Sequence, residues 1–371
     1  MPREAQTSAP PRLAPVVAAL PASRPFIGPE ELARRTGQSE LLRLGANESA
    51  FGPPPGALAA MRAAEARTNW YGDPESLDLR AALADRHGCS PRNITVAAGI
   101  DDLLGLAVRA YLAPGDVSVM TLGSYPTYTY HVLGYGARSE TVPYAADGSV
   151  QLEALAERAR ATNARVVYLA NPDNPSGAFA SRDAVAALLE RLPADIVLVL
   201  DEAYGDFVSS DELLAETADP RVIRMRTFSK AYGFAGARIA YCIAAVETIE
   251  AFGKIRLQYG VGRTAQVGAL AALDEGAFVA GVVAEVARGR DDYRALAARL
   301  GIGTLPSRTN FVCFDLGSRE RAEATVEALL RLGVFVRKPA APPLDGYVRV
   351  TVGTAPERAR FADAFARVVA G

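Results

Sequence analysis

Short apolar runs at residues 94–97, 117–121, 166–170, 196–200 and 222–226 alternate with stretches of helical pattern at 101–111, 152–161 and 184–191. The run at 196–200, Ile-Val-Leu-Val-Leu, carries no polar residue on either face. A strand of that kind is buried on both sides, as a central strand of a helix-covered parallel sheet must be. Alternation of this sort over about 200 residues predicts an α/β unit with a mostly parallel sheet. Helical patterns at 57–66 and 76–87 precede it, and a short one at 29–35 follows a Pro- and Ala-rich start.

Past residue 255 the pattern changes. A long helical region at about 264–300, with breaks expected near Gly276 and Gly281, leads into strands at 311–314, 334–337 and 347–352. Helices at 319–331 and 356–370 are mixed with them. This is an α+β pattern, and 371 residues exceed one small core. The reading is an N-terminal arm (1–44), a large α/β domain (45–255) and a smaller α+β C-terminal domain (256–371).

Composition removes several function classes. A net charge of -2 argues against a nucleic-acid partner with a basic footprint. No apolar run approaches the ~18–20 residues of a spanning helix, and no signal peptide is apparent, so no membrane partner is expected. Cys89, Cys242 and Cys313 lie far apart, which suits reduced thiols and a cytoplasmic location. His87 and His131 are the two histidines, without CxxC, HExxH or GxSxG spacing. No metal site is expected, and histidine-based catalysis is disfavoured. Of 40 basic residues, only Lys230, Lys254 and Lys338 are lysine, so amine chemistry on the chain has three candidates.

Four polar segments follow predicted strands: Gly99-Ile100-Asp101, Asn174, Asp201 and Ser229-Lys230. Ligands of open α/β sheets bind at the carboxyl ends of strands. Convergence there would bring an amide, a carboxylate, hydroxyls and an amine together. Singly, each has an ordinary explanation: a helix-capping acid, a turn, a solvated lysine.

Longer motifs carry these residues. Asn171-Pro172-Asp173-Asn174-Pro175-Ser176-Gly177 resembles an NPxNPTG loop, and Asp201-Glu202-Ala203-Tyr204 a cofactor strand. TFSKAYGFAGARIAY at 227–241 and YVRVTVGT at 347–354 complete the set, in the same order. From about Leu42 onward the chain resembles the class I/II aminotransferases, pyridoxal-phosphate enzymes of fold type I. The likeness is greatest to the histidinol-phosphate aminotransferase branch.

The resemblance implies a seven-stranded, mostly parallel sheet flanked by helices, with pyridoxal 5'-phosphate as cofactor. Lys230 is then the amine that bonds the cofactor's aldehyde and shuttles a proton. Asp201 pairs with the pyridine nitrogen, keeping it protonated so that the ring accepts electrons. Asn174 and Tyr204 bond the ring's phenolic oxygen. Thr227, Ser229, Arg238 and the backbone amides of Ile100 and Asp101 hold the phosphate. Tyr128 corresponds to the aromatic that stacks on the ring. Tyr71, in a loop with Gly72 where proline is usual, corresponds to a tyrosine that reaches the neighbouring subunit's phosphate. That implies a homodimer with shared active sites. Arg349 grips the substrate carboxylate, and Asn47 lines the same pocket.

The amino donor is less defined. Arg337, twelve residues before Arg349, fits the place of the branch's substrate-phosphate arginine, with Lys338 beside it. Phe26 stands where a tyrosine usually assists, so aromatic or aliphatic amino acids remain alternative donors. Glutamate or 2-oxoglutarate is the expected partner substrate in a ping-pong cycle. Phosphothreonine-type decarboxylases share most of these cofactor residues, so a lyase is a second reading. A non-catalytic protein on the same scaffold is a third, opposed by the joint presence of Lys230, Asp201, Arg238 and Arg349.

Overall fold

In the computed structural model, which describes residues 11–21, 27–38, 40–215 and 219–370, the apolar runs form five strands of a seven-stranded sheet, with the run at 94–97 at one edge. In chain order the strands are β1 (Leu42–Arg43), β2 (Ile94–Ala97), β3 (Val117–Thr121), β4 (Arg138–Val142), β5 (Val166–Ala170) and β6 (Val197–Asp201). Then come β7 (Val222–Thr227), β8 (Ala240–Ile243), β9 (Phe311–Asp315), β10 (Val334–Phe335) and β11 (Tyr347–Thr351). The large sheet has the order β2-β8-β7-β6-β5-β3-β4. Neighbours from β7 to β4 are parallel, and β8 alone runs antiparallel to both its neighbours.

β3, β5 and β7 are buried along their whole length. Alternate residues feed two cores. Tyr168, Val199 and Met225 pack with the helix Ile100–Tyr111 on one face. Val167, Leu169, Leu198 and Leu200 pack with the helices Leu152–Ala161 and Arg182–Arg191 on the other. Asp201 continues the period of Val199, so its side chain emerges on the first face, at the sheet's carboxyl edge. The strand thus runs one residue past the apolar run and includes Asp201 itself.

β4 and β8 carry little sequence signal. β4, Arg-Ser-Glu-Thr-Val, is an edge strand with one fully buried residue. β8 is four residues long and follows closely on the loop that bears Lys230.

The C-terminal region builds a second, antiparallel pair from β9 and β11. Phe314, Phe361, Phe365 and Tyr293 pack beneath it with ring centroids 4.9–5.7 Å apart. β1 pairs in parallel with β10, and Thr351 N–H donates to the Leu44 carbonyl at 2.8 Å. These bonds tie the segment before Asn47 to the C-terminal region. The helices Arg263–Leu273 and Gly276–Arg299 meet at 84°, close to the break expected near Gly276. No break occurs at Gly281, where the helix continues; glycine in a helix interior costs only about 1 kcal/mol. Among the described residues no single helix is long and apolar enough to cross a membrane.

β7 places two arginines in a buried strand. Arg224 donates to Glu202 through Nε at 3.1 Å and Nη2 at 2.9 Å, and Arg226 donates to Asp206 at 2.7 Å. Arg226 also lies 3.6 Å from Glu202, which is fully buried. Removing one partner of a buried pair strands the others in a low-dielectric interior. Glu202→Ala is therefore expected to lower the unfolding free energy by about 3–5 kcal/mol in denaturant titration. A loss under about 1 kcal/mol would contradict this account of β7.

Candidate active site

At the carboxyl ends of β2, β3, β5, β6 and β7 lies a cavity of about 890 Å³. It brings together Ile100, Asp101, Asn174, Asp201, Tyr204, Thr227, Ser229, Lys230 and Arg238. Asn47, Arg337 and Arg349 reach it from β1 and the C-terminal region. The four strand-end segments singled out in the sequence therefore do converge.

Lys230 follows β7 in a tight turn. Its Nζ lies 5.7 Å from the centre of the Tyr204 ring. Burial, reinforced by the Arg349 charge, lowers the amine from its ordinary range to about 8. Roughly a fifth is then neutral, and so nucleophilic, near pH 7.4, far more than for an ordinary lysine.

Among the described residues Asp201 takes part in no ion pair. Tyr168 donates to its Oδ2 at 2.8 Å and the Ala203 N–H to its Oδ1 at 3.0 Å. Burial pushes this carboxyl up to about 6 against those two bonds. A buried carboxylate held only by neutral donors, at the cavity wall, suits a cationic partner supplied from the cavity.

On the opposite side, Asn174 and Tyr204 both present donors. The Asn174 carbonyl oxygen accepts from Arg349 Nη1, which leaves its NH2 group to donate. The Tyr204 oxygen accepts from Asn47 Nδ2 at 2.8 Å, which leaves its O–H to donate. Asn47 is fixed in turn: its backbone is left-handed (φ 55°), and Thr351 Oγ1 contacts both its N–H and its Oδ1 at 3.1 Å. Arg349 also donates to the Gly45 carbonyl at 3.0 Å and lies over the Phe311 ring. Its buried Nε has no hydrogen-bond partner among the described residues.

An anion cradle completes the floor. The helix Ile100–Tyr111 starts at the cavity, so its first N–H groups have no intrahelical acceptor. Thr227 Oγ1 and Ser229 Oγ lie 2.9 Å apart beside it. Arg238 projects from a left-handed backbone (φ 54°), with Nη2 at 3.6 Å from Asp101. Gly99 is favoured here by its left-handed backbone (φ 95°), and a Cβ at that position would also push the Arg238 guanidinium aside. Hydroxyls, helix amides and a guanidinium together fit a phosphate group.

One expected residue is displaced. Tyr128 does not face the cavity. It is completely buried, its hydroxyl lies 2.6 Å from Ser118 Oγ, and its ring stacks on Tyr168 at 4.4 Å. Tyr125 lines the cavity instead and donates to Asp101 Oδ1 at 2.8 Å. The physical reason is the helix start at Pro126: Tyr125 caps it at the strand's end, whereas Tyr128 lies a turn inside and turns toward the core. Pro126 in the sequence was the available signal, since proline favours a first helical position. Tyr168 is a second residue that sequence reasoning passed over.

Tyr71 lies outside the cavity of its own chain. It is 76% exposed and packs against Tyr259 at 4.5 Å. Arg337 lines the cavity and donates to the Ile27 carbonyl at 2.9 Å. Lys338 also lines it and pairs with Glu323 at 3.2 Å. Phe26 lies outside the described residues.

The sequence profile of the family "Aminotransferase class I and II" matches residues 39–365. Histidinol-phosphate aminotransferase 1 of Thiobacillus denitrificans is 36% identical over 346 residues, covering 92% of this chain and 89% of the relative. A crystal structure of histidinol-phosphate aminotransferase from Sinorhizobium meliloti in complex with pyridoxal-5'-phosphate superposes with a TM-score of 0.94 at 43% identity. It covers 98% of this chain and 99% of that one. N-succinyldiaminopimelate aminotransferase from Mycobacterium tuberculosis superposes with a TM-score of 0.80 at 26% identity, over 91% of this chain and 95% of that one.

The amine chemistry of Lys230 is open to direct titration. In protein free of small ligands, reductive methylation of the Lys230 peptide, followed by mass spectrometry, should rise with a midpoint near pH 8. Arg349→Ala should move that midpoint upward, because a neighbouring positive charge is lost. A midpoint near the ordinary lysine value of about 10.4 would contradict the site's electrostatics.

Proposed function

This chain belongs to the class I and II aminotransferases, and from that premise we propose that it moves an amino group from histidinol phosphate to 2-oxoglutarate with pyridoxal 5'-phosphate as cofactor. The observation that carries the reading is the meeting in one cavity of an amine, Lys230, lowered by burial and a buried carboxylate, Asp201, whose two hydrogen-bond donors are both neutral. When bound, pyridoxal phosphate supplies an aldehyde that bonds amines and a protonated ring that takes up electrons from the substrate's Cα.

The chain's own groups supply the rest. Asp201 holds the proton on the ring nitrogen. The Asn174 NH2 group and the Tyr204 O–H donate to the phenolic oxygen. Thr227, Ser229, Arg238 and the amides of Ile100 and Asp101 bind the phosphate, and Tyr125 walls one side of the ring. The Lys230 amine would take the proton from the substrate's Cα and hold it within the site for transfer.

Two guanidiniums serve the substrates. Arg349 binds the α-carboxylate of glutamate bidentately, which orients the Cα–H bond. Arg337 binds the second carboxylate of glutamate or the phosphate of histidinol phosphate. Both substrates pass through one cavity in turn, as a ping-pong cycle requires. Support for histidinol phosphate comes from Arg337 on the cavity wall and from the relatives of that name.

We place the reaction in a cytoplasmic homodimer. Trp70, Tyr71, Leu257 and Tyr259 form an exposed apolar patch, of a kind that marks an interface. Tyr71 would extend from it to the partner's phosphate site.

A donor screen with 2-oxoglutarate, including histidinol phosphate and aromatic and aliphatic amino acids, tests the assignment. Histidinol phosphate is expected to give the highest kcat/KM. Arg337→Ala should lower that value roughly 30-fold, the loss of about 2 kcal/mol of charge-assisted bonding. Unchanged histidinol-phosphate kinetics in Arg337→Ala would overturn the donor assignment. Lys230→Ala should abolish turnover with every donor.

A further inference from the structure

Three adjacent strands place Ser118 (β3), Tyr168 (β5) and Asp201 (β6) on the same face of the sheet. Together with Tyr128 they form a buried column. Ser118 Oγ and Tyr128 O–H are 2.6 Å apart, the Tyr128 and Tyr168 rings stack at 4.4 Å with 14° between planes, and the Tyr168 O–H donates to Asp201 Oδ2 at 2.8 Å. Ser118, Tyr128, Tyr168 and Asp201 are all buried, so no large part of the column is free to reorient.

We propose that Tyr168 is a positioning residue for the transamination site: its phenol keeps the Asp201 carboxylate ionised and aimed at the cofactor's ring nitrogen, while Tyr128 and Ser118 hold the phenol in place. The inference rests on the reading that Asp201 faces that nitrogen.

The chemistry is as follows. A donor to a carboxylate stabilises its charged form. Asp201 has two such donors, and the Ala203 N–H is backbone and persists in any variant. Burial favours the protonated carboxyl, and the Tyr168 bond is the largest influence against it. The charged and titratable groups around Asp201 do not substitute for the phenol. Asp101, at the helix start on the cavity wall, raises its proton affinity, and Lys230 lowers it by less than Tyr168 does. Tyr125, Tyr204 and Asp173 also face this cluster, and none donates to Asp201. Without the phenol, Asp201 takes up a proton at higher pH. A neutral carboxylic acid no longer compels the ring nitrogen to stay protonated.

Tyr168→Phe removes one oxygen and keeps the stacked ring. The test titrates the apoproteins of parent, Tyr168→Phe and Asp201→Asn with pyridoxal phosphate across a pH series, reading binding by absorbance. In the parent, affinity should fall on the acid side around pH 6, where Asp201 becomes protonated. In Tyr168→Phe the same fall should start about one pH unit higher, the size expected from one charge-assisted bond. The acid limb of kcat in the holoenzyme should move with it, with thermal midpoints of the two proteins nearly equal. Overlaid parent and Tyr168→Phe binding curves, beside a changed Asp201→Asn curve, overturn the role of Tyr168 alone. If Asp201→Asn overlays the parent as well, the reading of Asp201 falls with it.

Discussion

A carboxylate buried at the end of a parallel strand, ion-paired with none of the described side chains, is the constraint around which this molecule is arranged. Asp201 is delivered to that point by the two-residue period of β6, which also buries Val199 against the helix Ile100–Tyr111. Desolvation raises its proton affinity; the Tyr168 hydroxyl and a backbone N–H oppose this most, and the Lys230 charge adds a smaller effect. Such a group is costly to keep unless a cation arrives from the cavity. A cofactor carrying a protonated ring nitrogen meets that need, and in doing so becomes a better electron acceptor.

The remainder of the site depends on joining two parts of the chain. β1 pairs with β10, and Thr351 of β11 contacts Asn47 on two sides. Asn47 then bonds Tyr204, and Arg349 of β11 bonds Asn174. Asn174 and Tyr204 are thus oriented by the same elements that carry Arg349 into the cavity. This coupling explains why a site at the carboxyl edge of one sheet needs residues from both ends of the sequence. Gly123 adds to the closeness, since a Cβ there would lie 2.6 Å from the Ala341 side chain, and its φ of 81° favours glycine as well.

Much of this was legible in the sequence, for identifiable reasons. Strands buried on both faces leave largely apolar runs, so β2, β3, β5 and β6 stand out, and the residues after them mark the cavity. β4 was not legible, because an edge strand with one buried residue lacks that signal. The exchange of Tyr125 for Tyr128 has a different cause. Tyrosines three residues apart look equivalent in a motif, and which one faces the cavity depends on where the helix begins. Tyr168 was hidden inside an apolar run, where a tyrosine reads as core. Its function rests on a hydroxyl whose partner, Asp201, is 33 residues away in sequence. The helix break at Gly276 was anticipated and the one at Gly281 was not realised, because packing along Gly276–Arg299 outweighs the small cost of an interior glycine.

The central claim is transfer of nitrogen between two substrates through one cavity. The direct measurement supplies the holoenzyme with 15N-labelled histidinol phosphate and unlabelled 2-oxoglutarate, and follows the label by mass spectrometry. The account predicts labelled glutamate in equal amount to the ketone formed from the donor. Label released as ammonia, or retained in the donor while glutamate fails to form, would contradict it.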